Sequence, residues 1–235
     1  MDRSRGIQRI IKRLIDLIIS FISLLVLGMP MCILALLIKL ESRGPALFKQ
    51  ERTGEEGVQF TLYKFRSMRE VSEKEGVFHN AERVTPIGRL IRKWRIDELP
   101  QLANVLKGDM SIVGPRPTLP YQVERYDEEQ RRRLEVRPGI TGWSQIHGDE
   151  AISWPERIEQ DIWYIDNWSL WLDAKIMFAT PFALLRIRKV NVEEGPPPDV
   201  LSEVTTEEQR KSGPESAGEN LQAQSCLGRD CDGRA

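Results

Sequence analysis

Asp97 and Glu98 stand side by side in the stretch Arg92-Lys93-Trp94-Arg95-Ile96-Asp97-Glu98-Leu99-Pro100-Gln101. Two adjacent carboxylates behind three cations and just ahead of a proline can do chemistry of two kinds. Nearby positive charge favours the ionised carboxylate, which can act as a nucleophile. The same cluster can grip a phosphate or a hard metal ion. A solvated, charged helix end is the plainer alternative, and this stretch alone leaves it open.

A second constellation follows at Gly108-Asp109-Met110-Ser111-Ile112-Val113-Gly114-Pro115-Arg116-Pro117. Glycines let backbone N–H groups approach an anion, and prolines stiffen the loop around it. Arg116, held between two prolines, presents a planar fork suited to phosphate oxygens. Arg137-Pro138-Gly139 repeats the pattern. With Arg92 and Arg95, these two arginine turns point to a polyphosphate ligand.

Other chemistries find little support. The two histidines, His79 and His147, are far apart and have no cysteine partners, so a zinc site is not expected. Neither a Ser-His-Asp set, a Walker loop nor a dinucleotide fingerprint occurs. Any metal would be held by carboxylates, which suits Mg²⁺ or Mn²⁺. Five of the six tryptophans fall between Trp143 and Trp171; they can pack, anchor at a lipid headgroup layer, or stack on a base or sugar. Asp161 and Asp173, beside two of them, fit either a ligand role or plain helix-surface charge.

The elements that must position these groups begin with a membrane-grade segment. Leu17 to Ile38 is 22 residues without a charge, long enough at about 1.5 Å per residue to reach across a roughly 30 Å hydrocarbon core. Pro30, soon after Gly28, should kink that helix, because proline lacks an N–H and clashes with the preceding turn. Arg3, Arg5, Arg9, Lys12 and Arg13 precede the run; Lys39, Arg43, Lys49 and Arg52 follow it. Cationic flanks prefer the cytoplasmic side, so both ends are expected on that face; a re-entrant helix bent at Pro30 satisfies this, and a kinked spanning helix is the alternative.

Downstream, Val58 to Phe65 after Gly54 and Gly57 predicts a small β-hairpin. Helices are expected over Ile87–Trp94 and Leu99–Leu106, and Ser67 to Asn80 begins as helix or loop. Gly108 to Pro120 excludes regular helix. Tyr121–Glu135 is expected as one exposed helix, and Trp154–Trp171 and Asp173–Arg188 as amphipathic helices, the second along a membrane or core face. From Glu193 onward, ten acidic and four basic residues give a tail of −6. Its composition predicts disorder. The remainder then carries +5 of the net −1, which suits anionic partners. Cys32, Cys226 and Cys231 form no disulfide framework.

Together these motifs resemble the bacterial sugar transferase family, the polyprenyl-phosphate phosphoglycosyl transferases of the monotopic membrane type. The matching blocks are Lys12-Arg13-Leu14-Ile15-Asp16, Gly44-Pro45 with Phe48-Lys49-Gln50-Glu51-Arg52-Thr53-Gly54, Tyr63-Lys64-Phe65-Arg66-Ser67-Met68, Asp97-Glu98-Leu99-Pro100-Gln101, Gly108 to Pro117, Pro138 to Trp143, and Asp161 to Asp173. They run in family order across roughly residues 8–190.

The resemblance implies transfer of a sugar phosphate from a UDP-sugar to polyprenyl (undecaprenyl) phosphate, with release of UMP. Asp97 is then the nucleophile and Glu98 the Mg²⁺ ligand. Arg92 and Arg116 are the expected phosphate contacts, with Lys64, Arg66 and Arg137 as further candidates. The implied fold is α/β, mostly helical with a small β-hairpin, on a re-entrant membrane helix with interfacial amphipathic helices. Its expected divisions are a basic N-terminus and membrane helix over 1–42, a catalytic domain over 43–192, and the disordered tail over 193–235. The protein is expected on the cytoplasmic face of the bacterial inner membrane. Membrane lipids and downstream glycosyltransferases are its expected partners, and nucleic acid is not, since no nucleic-acid module is present.

Ala151-Ile152-Ser153-Trp154 resembles the compact members, which lack additional N-terminal spanning helices and often act on acetamido sugars. Two positions depart from the family pattern: Met29 precedes Pro30 where many members have serine, and His147-Gly148-Asp149-Glu150 replaces Asn-Gly-Arg-Asn. The second should alter donor preference. A catalytically inactive membrane scaffold is the rival reading, and the intact Asp97-Glu98 pair argues against it.

Overall fold

The computed structural model describes residues 3–69, 83–148 and 151–190. The acidic tail, Cys226, Cys231, His79, most of the Ser67–Asn80 stretch and the Asp149-Glu150 departure lie outside them. The described chain is mostly helical, with a small antiparallel hairpin.

Helix α1 covers Arg3–Glu41, longer than the uncharged run because the basic N-terminus continues the same helix. Pro30 lies inside it. Among the described residues it is the one helix long and apolar enough to cross a membrane. Leu25, Val26 and Met29 are exposed around its middle, whereas side chains near both ends reach the body. Asp16 accepts from Ser111 Oγ at 2.8 Å and from the Ile112 N–H at 3.2 Å. Lys12 Nζ donates to the Val113 carbonyl at 3.0 Å, and Arg13 donates to the Val105 carbonyl at 2.8 Å. At the other end, Ile38 is buried with Ala46, Phe65 and Ile91, and Met31, Leu34 and Ala35 pack against that cluster.

Strands β1 (Leu47–Thr53) and β2 (Gln59–Phe65) form the expected hairpin, with Leu47 opposite Phe65 and Thr53 opposite Gln59. A 3-10 turn over Glu55–Gly57 joins them, with Gly57 at φ 80°. Helices α2 (Pro86–Lys93) and α3 (Gln101–Lys107) fall close to their expected spans. Thr85 caps α2 by accepting from the Gly88 N–H at 2.9 Å, and Pro86 occupies the first turn, where its missing N–H costs nothing.

The glycine- and proline-rich loops hold strands as well as turns. β3 (Ser111–Val113) pairs in parallel with β4 (Gly139–Thr141). A Cβ on Gly139 would stand 2.1 Å from the Gly114 nitrogen, so this approach requires glycine.

Two expectations need correction. Tyr121–Glu135 is not one exposed helix: it divides into α4 (Pro120–Glu124), α5 (Glu128–Arg131) and a 3-10 turn over Arg132–Glu135. Asp127 restarts the helix with a capping box, and Arg133 is turned inward and buried. After α6 (Trp143–Ile146), the Trp154–Trp171 helix stops at Asp166, so α7 is Trp154–Asp166 and α8 is Leu170–Val190. Asn167 closes α7 by donating to the Trp163 carbonyl at 2.9 Å, and Ser169 Oγ accepts from the Leu172 N–H at 3.2 Å to open α8.

Candidate active site

Asp97 and Glu98 sit in a 3-10 turn, Ile96–Glu98, between α2 and α3. Arg95 enters that turn at φ 54°, a left-handed conformation uncommon for a residue with a side chain and concentrated at functional sites. The turn drives both carboxylates inward: Asp97 is 8% exposed and Glu98 5%. A solvated helix end is therefore not what forms here.

Glu98 Oε1 accepts from Arg116 at 2.9 Å, from Lys64 at 3.0 Å and from Arg95 at 3.4 Å. Three elements supply these cations: the proline loop after β3, strand β2, and the turn itself. Burial opposes the Glu98 charge, but Arg116, Lys64 and Arg95 outweigh it and hold the carboxyl well below the usual range. Asp97 goes the other way. Burial first and the Glu98 charge second push it up, against the pull of Lys64, Arg95 and Arg92. Its Oδ1 is buried with no hydrogen-bond partner. The two adjacent carboxyls thus sit in opposed electrostatic environments.

The remaining sequence candidates separate by location. Arg92 is exposed on α2, its Nε fixed by Ser67 Oγ at 2.7 Å, with its charge acting on Asp97. Arg66, a further phosphate candidate from the sequence, reaches the end of α1 in this structure. Its guanidinium donates to the carbonyls of Arg43 and Ser42 at 2.8 and 2.7 Å, satisfying backbone at and just beyond the C-terminus of α1. Arg137 pairs with Glu55 at 3.1 Å on the surface.

Asp161 and Asp173 are structural in their contacts. Asp161 accepts from Arg133 at 2.6 Å and Ser144 Oγ at 2.7 Å. Asp173 accepts from Lys12 and Tyr164 Oη, both at 2.7 Å, and from Trp168 Nε1 at 3.2 Å. Arg133 also donates to the Arg116 carbonyl at 3.3 Å, linking that buried pair to the loop that reaches Glu98. Sequence reasoning missed Arg133, because nothing in Arg131-Arg132-Arg133 distinguishes the one that points inward.

No group of three or more His, Cys, Asp or Glu side chains converges among the described residues. A hard divalent ion needs fewer protein ligands when phosphates and water complete its shell. The Asp97-Glu98 pair fits that pattern, with an unpartnered buried oxygen on Asp97 and all three described Glu98 ion pairs confined to Oε1.

A family model described as bacterial sugar transferase matches residues 7–187. The sugar transferase EpsL of Bacillus subtilis strain 168, itself uncharacterised, is 49% identical over 187 residues, covering 79% of this chain and 90% of that protein. The UDP-N-acetylgalactosamine-undecaprenyl-phosphate N-acetylgalactosaminephosphotransferase of Aeromonas hydrophila is 47% identical, covering 74% of this chain and 43% of its own length. The UDP-glucose:undecaprenyl-phosphate glucose-1-phosphate transferase of Escherichia coli strain K12 is 42% identical, covering 75% and 40%. This chain thus spans most of the Bacillus protein and less than half of the other two.

Proposed function

The chain belongs to the bacterial sugar transferase family, and from that premise we propose that it moves a sugar-1-phosphate from a UDP-sugar to undecaprenyl phosphate and releases UMP. The observation that carries this reading is Asp97, buried with an unpartnered oxygen, beside a Glu98 kept ionised among Lys64, Arg95 and Arg116. The Aeromonas and Escherichia relatives, whose names describe this kind of transfer, support it.

Asp97 attacks the phosphorus bonded to the sugar. An Asp97 oxygen–phosphorus bond forms, the bridging phosphorus–oxygen bond breaks, and UMP leaves with the bridging oxygen. A phosphate oxygen of the lipid then attacks the same phosphorus. The bond to Asp97 breaks, the carboxylate returns, and the sugar is left on a lipid diphosphate. Aspartate can serve as a covalent nucleophile, and the remaining requirement of phosphoryl transfer is alignment with charge neutralisation. Arg116, Arg92 and Lys64 supply positive charge around the diphosphate. Glu98, with Asp97 beside it, would hold Mg²⁺, which neutralises phosphate charge when bound.

A re-entrant α1 is part of this proposal. Between buried Ser20 and core-packed Met31 lie ten residues, about 15 Å of helix against a roughly 30 Å hydrocarbon core. Lys12, Arg13 and Asp16 before that stretch, and Leu34, Ala35 and Ile38 after it, engage the same body. That body then lies on the cytoplasmic face of the inner membrane. Trp171, Phe178 and Phe182, exposed along α8, would meet the interface there.

The test is UMP release from a panel of UDP-sugars with Mg²⁺ and polyprenyl phosphate, comparing wild type with Asp97→Asn. Release with one donor, lost in the variant, is expected. Silence across the panel from folded wild-type protein would favour an inactive scaffold.

A further inference from the structure

Arg52, the penultimate residue of β1, has no part in the site as described so far. Its Nη2 donates to Gln50 Oε1 at 2.7 Å and its Nη1 to the Pro117 carbonyl at 3.3 Å. Both acceptors are neutral. Its Nε is buried without an acceptor. The next residue, Thr53, donates its backbone N–H to the Thr118 carbonyl at 2.9 Å, so the end of β1 is fastened to the loop that carries Arg116.

The charge around this point is out of balance. Arg52, Lys64, Arg92, Arg95 and Arg116 surround two carboxylates, Asp97 and Glu98. Burial first and the Arg116 charge second lower the Arg52 guanidinium to about 10. The Glu98 charge favours the Arg52 cation only from a distance; the acceptors that Arg52 touches are neutral and one N–H is orphaned, so a contacting anion would fit. A phosphate group would supply the charge and accept several guanidinium N–H groups at once.

We propose that Arg52 is a substrate-binding residue that, together with Arg116, clamps a phosphate group of one of the two phosphorylated substrates. This rests on the phosphoglycosyl transfer reading above. The nucleotide diphosphate and the polyprenyl phosphate share the chemistry that such a clamp recognises, and the test separates them.

The alternative is that Arg52 merely holds the Pro117 carbonyl. Its loss would then loosen the loop and weaken every ligand alike. Uridine, UMP and UDP affinities are measured on the full chain in detergent micelles for wild type, Arg52→Gln, Arg52→Lys and Gln50→Ala. The KM for polyprenyl phosphate is measured alongside. A charge-assisted contact predicts that Arg52→Gln weakens UDP by about tenfold or more and leaves uridine unchanged. Arg52→Lys should lose less, and Gln50→Ala, which removes only a neutral partner, should bind UDP as wild type does. A rise confined to the KM for polyprenyl phosphate would assign the clamp to the lipid phosphate. Unchanged UDP affinity together with unchanged lipid KM, or an equal loss on uridine, would overturn the inference. If wild type itself neither binds UDP nor saturates with polyprenyl phosphate, it is the phosphoglycosyl reading that fails.

Discussion

Arg133 donates to the carbonyl of Arg116 at 3.3 Å, while the Arg116 guanidinium reaches Glu98 at 2.9 Å. One buried arginine thus holds the backbone of another that neutralises the site. Arg133 is itself paired with Asp161 at 2.6 Å, both side chains nearly inaccessible. Breaking a buried pair by removing one partner leaves an uncompensated charge and costs about 3–5 kcal/mol. Asp161→Ala should therefore lower the unfolding midpoint sharply in a denaturant titration. Arg133→Met with Asp161→Leu, which removes both charges, should recover much of that stability, but it takes the hydrogen bond from the Arg116 carbonyl and UMP release should fall.

The opposed shifts of the two carboxyls predict a pH profile. In the proposed mechanism Asp97 must be ionised to attack, and its pKa is raised, so activity should fall with decreasing pH above the ordinary aspartate value of about 3.9. Arg92 pulls that pKa down; Arg92→Gln should move the acid limb of kcat/KM upward. An acid limb that stays put in the variant would remove Arg92 from the electrostatics of Asp97.

Glu98→Gln keeps the shape of the side chain and discards its charge. Lys64, Arg95 and Arg116 would then face one another without the carboxylate between them. UMP release should drop by about a hundredfold or more. Stability should fall by about 2 kcal/mol, the partly exposed cations screening the rest. In the wild type, chelation should stop turnover, and Mg²⁺ or Mn²⁺ should restore it.

Gly139 and Gly114 approach too closely for a side chain at either position. Gly139→Ala should part β3 from β4 and cost about 2–3 kcal/mol. Because β3 leads directly into Arg116, thermal melting and UMP release should decline together.

Topology can be read by labelling. In a background with Cys32, Cys226 and Cys231 all replaced by serine, Ser4→Cys lies at the start of α1 and Arg43→Cys just beyond its end. A re-entrant helix exposes both to an impermeant maleimide from the cytoplasmic side of oriented vesicles. Labelling from opposite sides would mean that α1 spans the membrane.

Much of this molecule was legible in its residues. The apolar run with basic flanks, the hairpin after Gly54 and Gly57, α2 and α3, and the Asp97-Glu98 pair each depend on local pattern, which composition and spacing carry directly. What local pattern could not carry is which members of a charged stretch turn inward. Arg133 looks like its neighbours in sequence and becomes the buried partner of Asp161, whereas Arg66, in a block that suggested phosphate binding, closes the end of α1. Only long-range packing decides such cases, because a guanidinium is held by whichever acceptors the fold brings within about 3 Å of it. The pairing of β3 with β4 has the same origin: each strand is three residues long, too short for periodicity to show, and it exists because two glycines let the backbones meet. Local sequence was enough to pick out the candidate carboxylate pair and the family. The tertiary structure decided which cations surround that pair and which residues hold those cations in place.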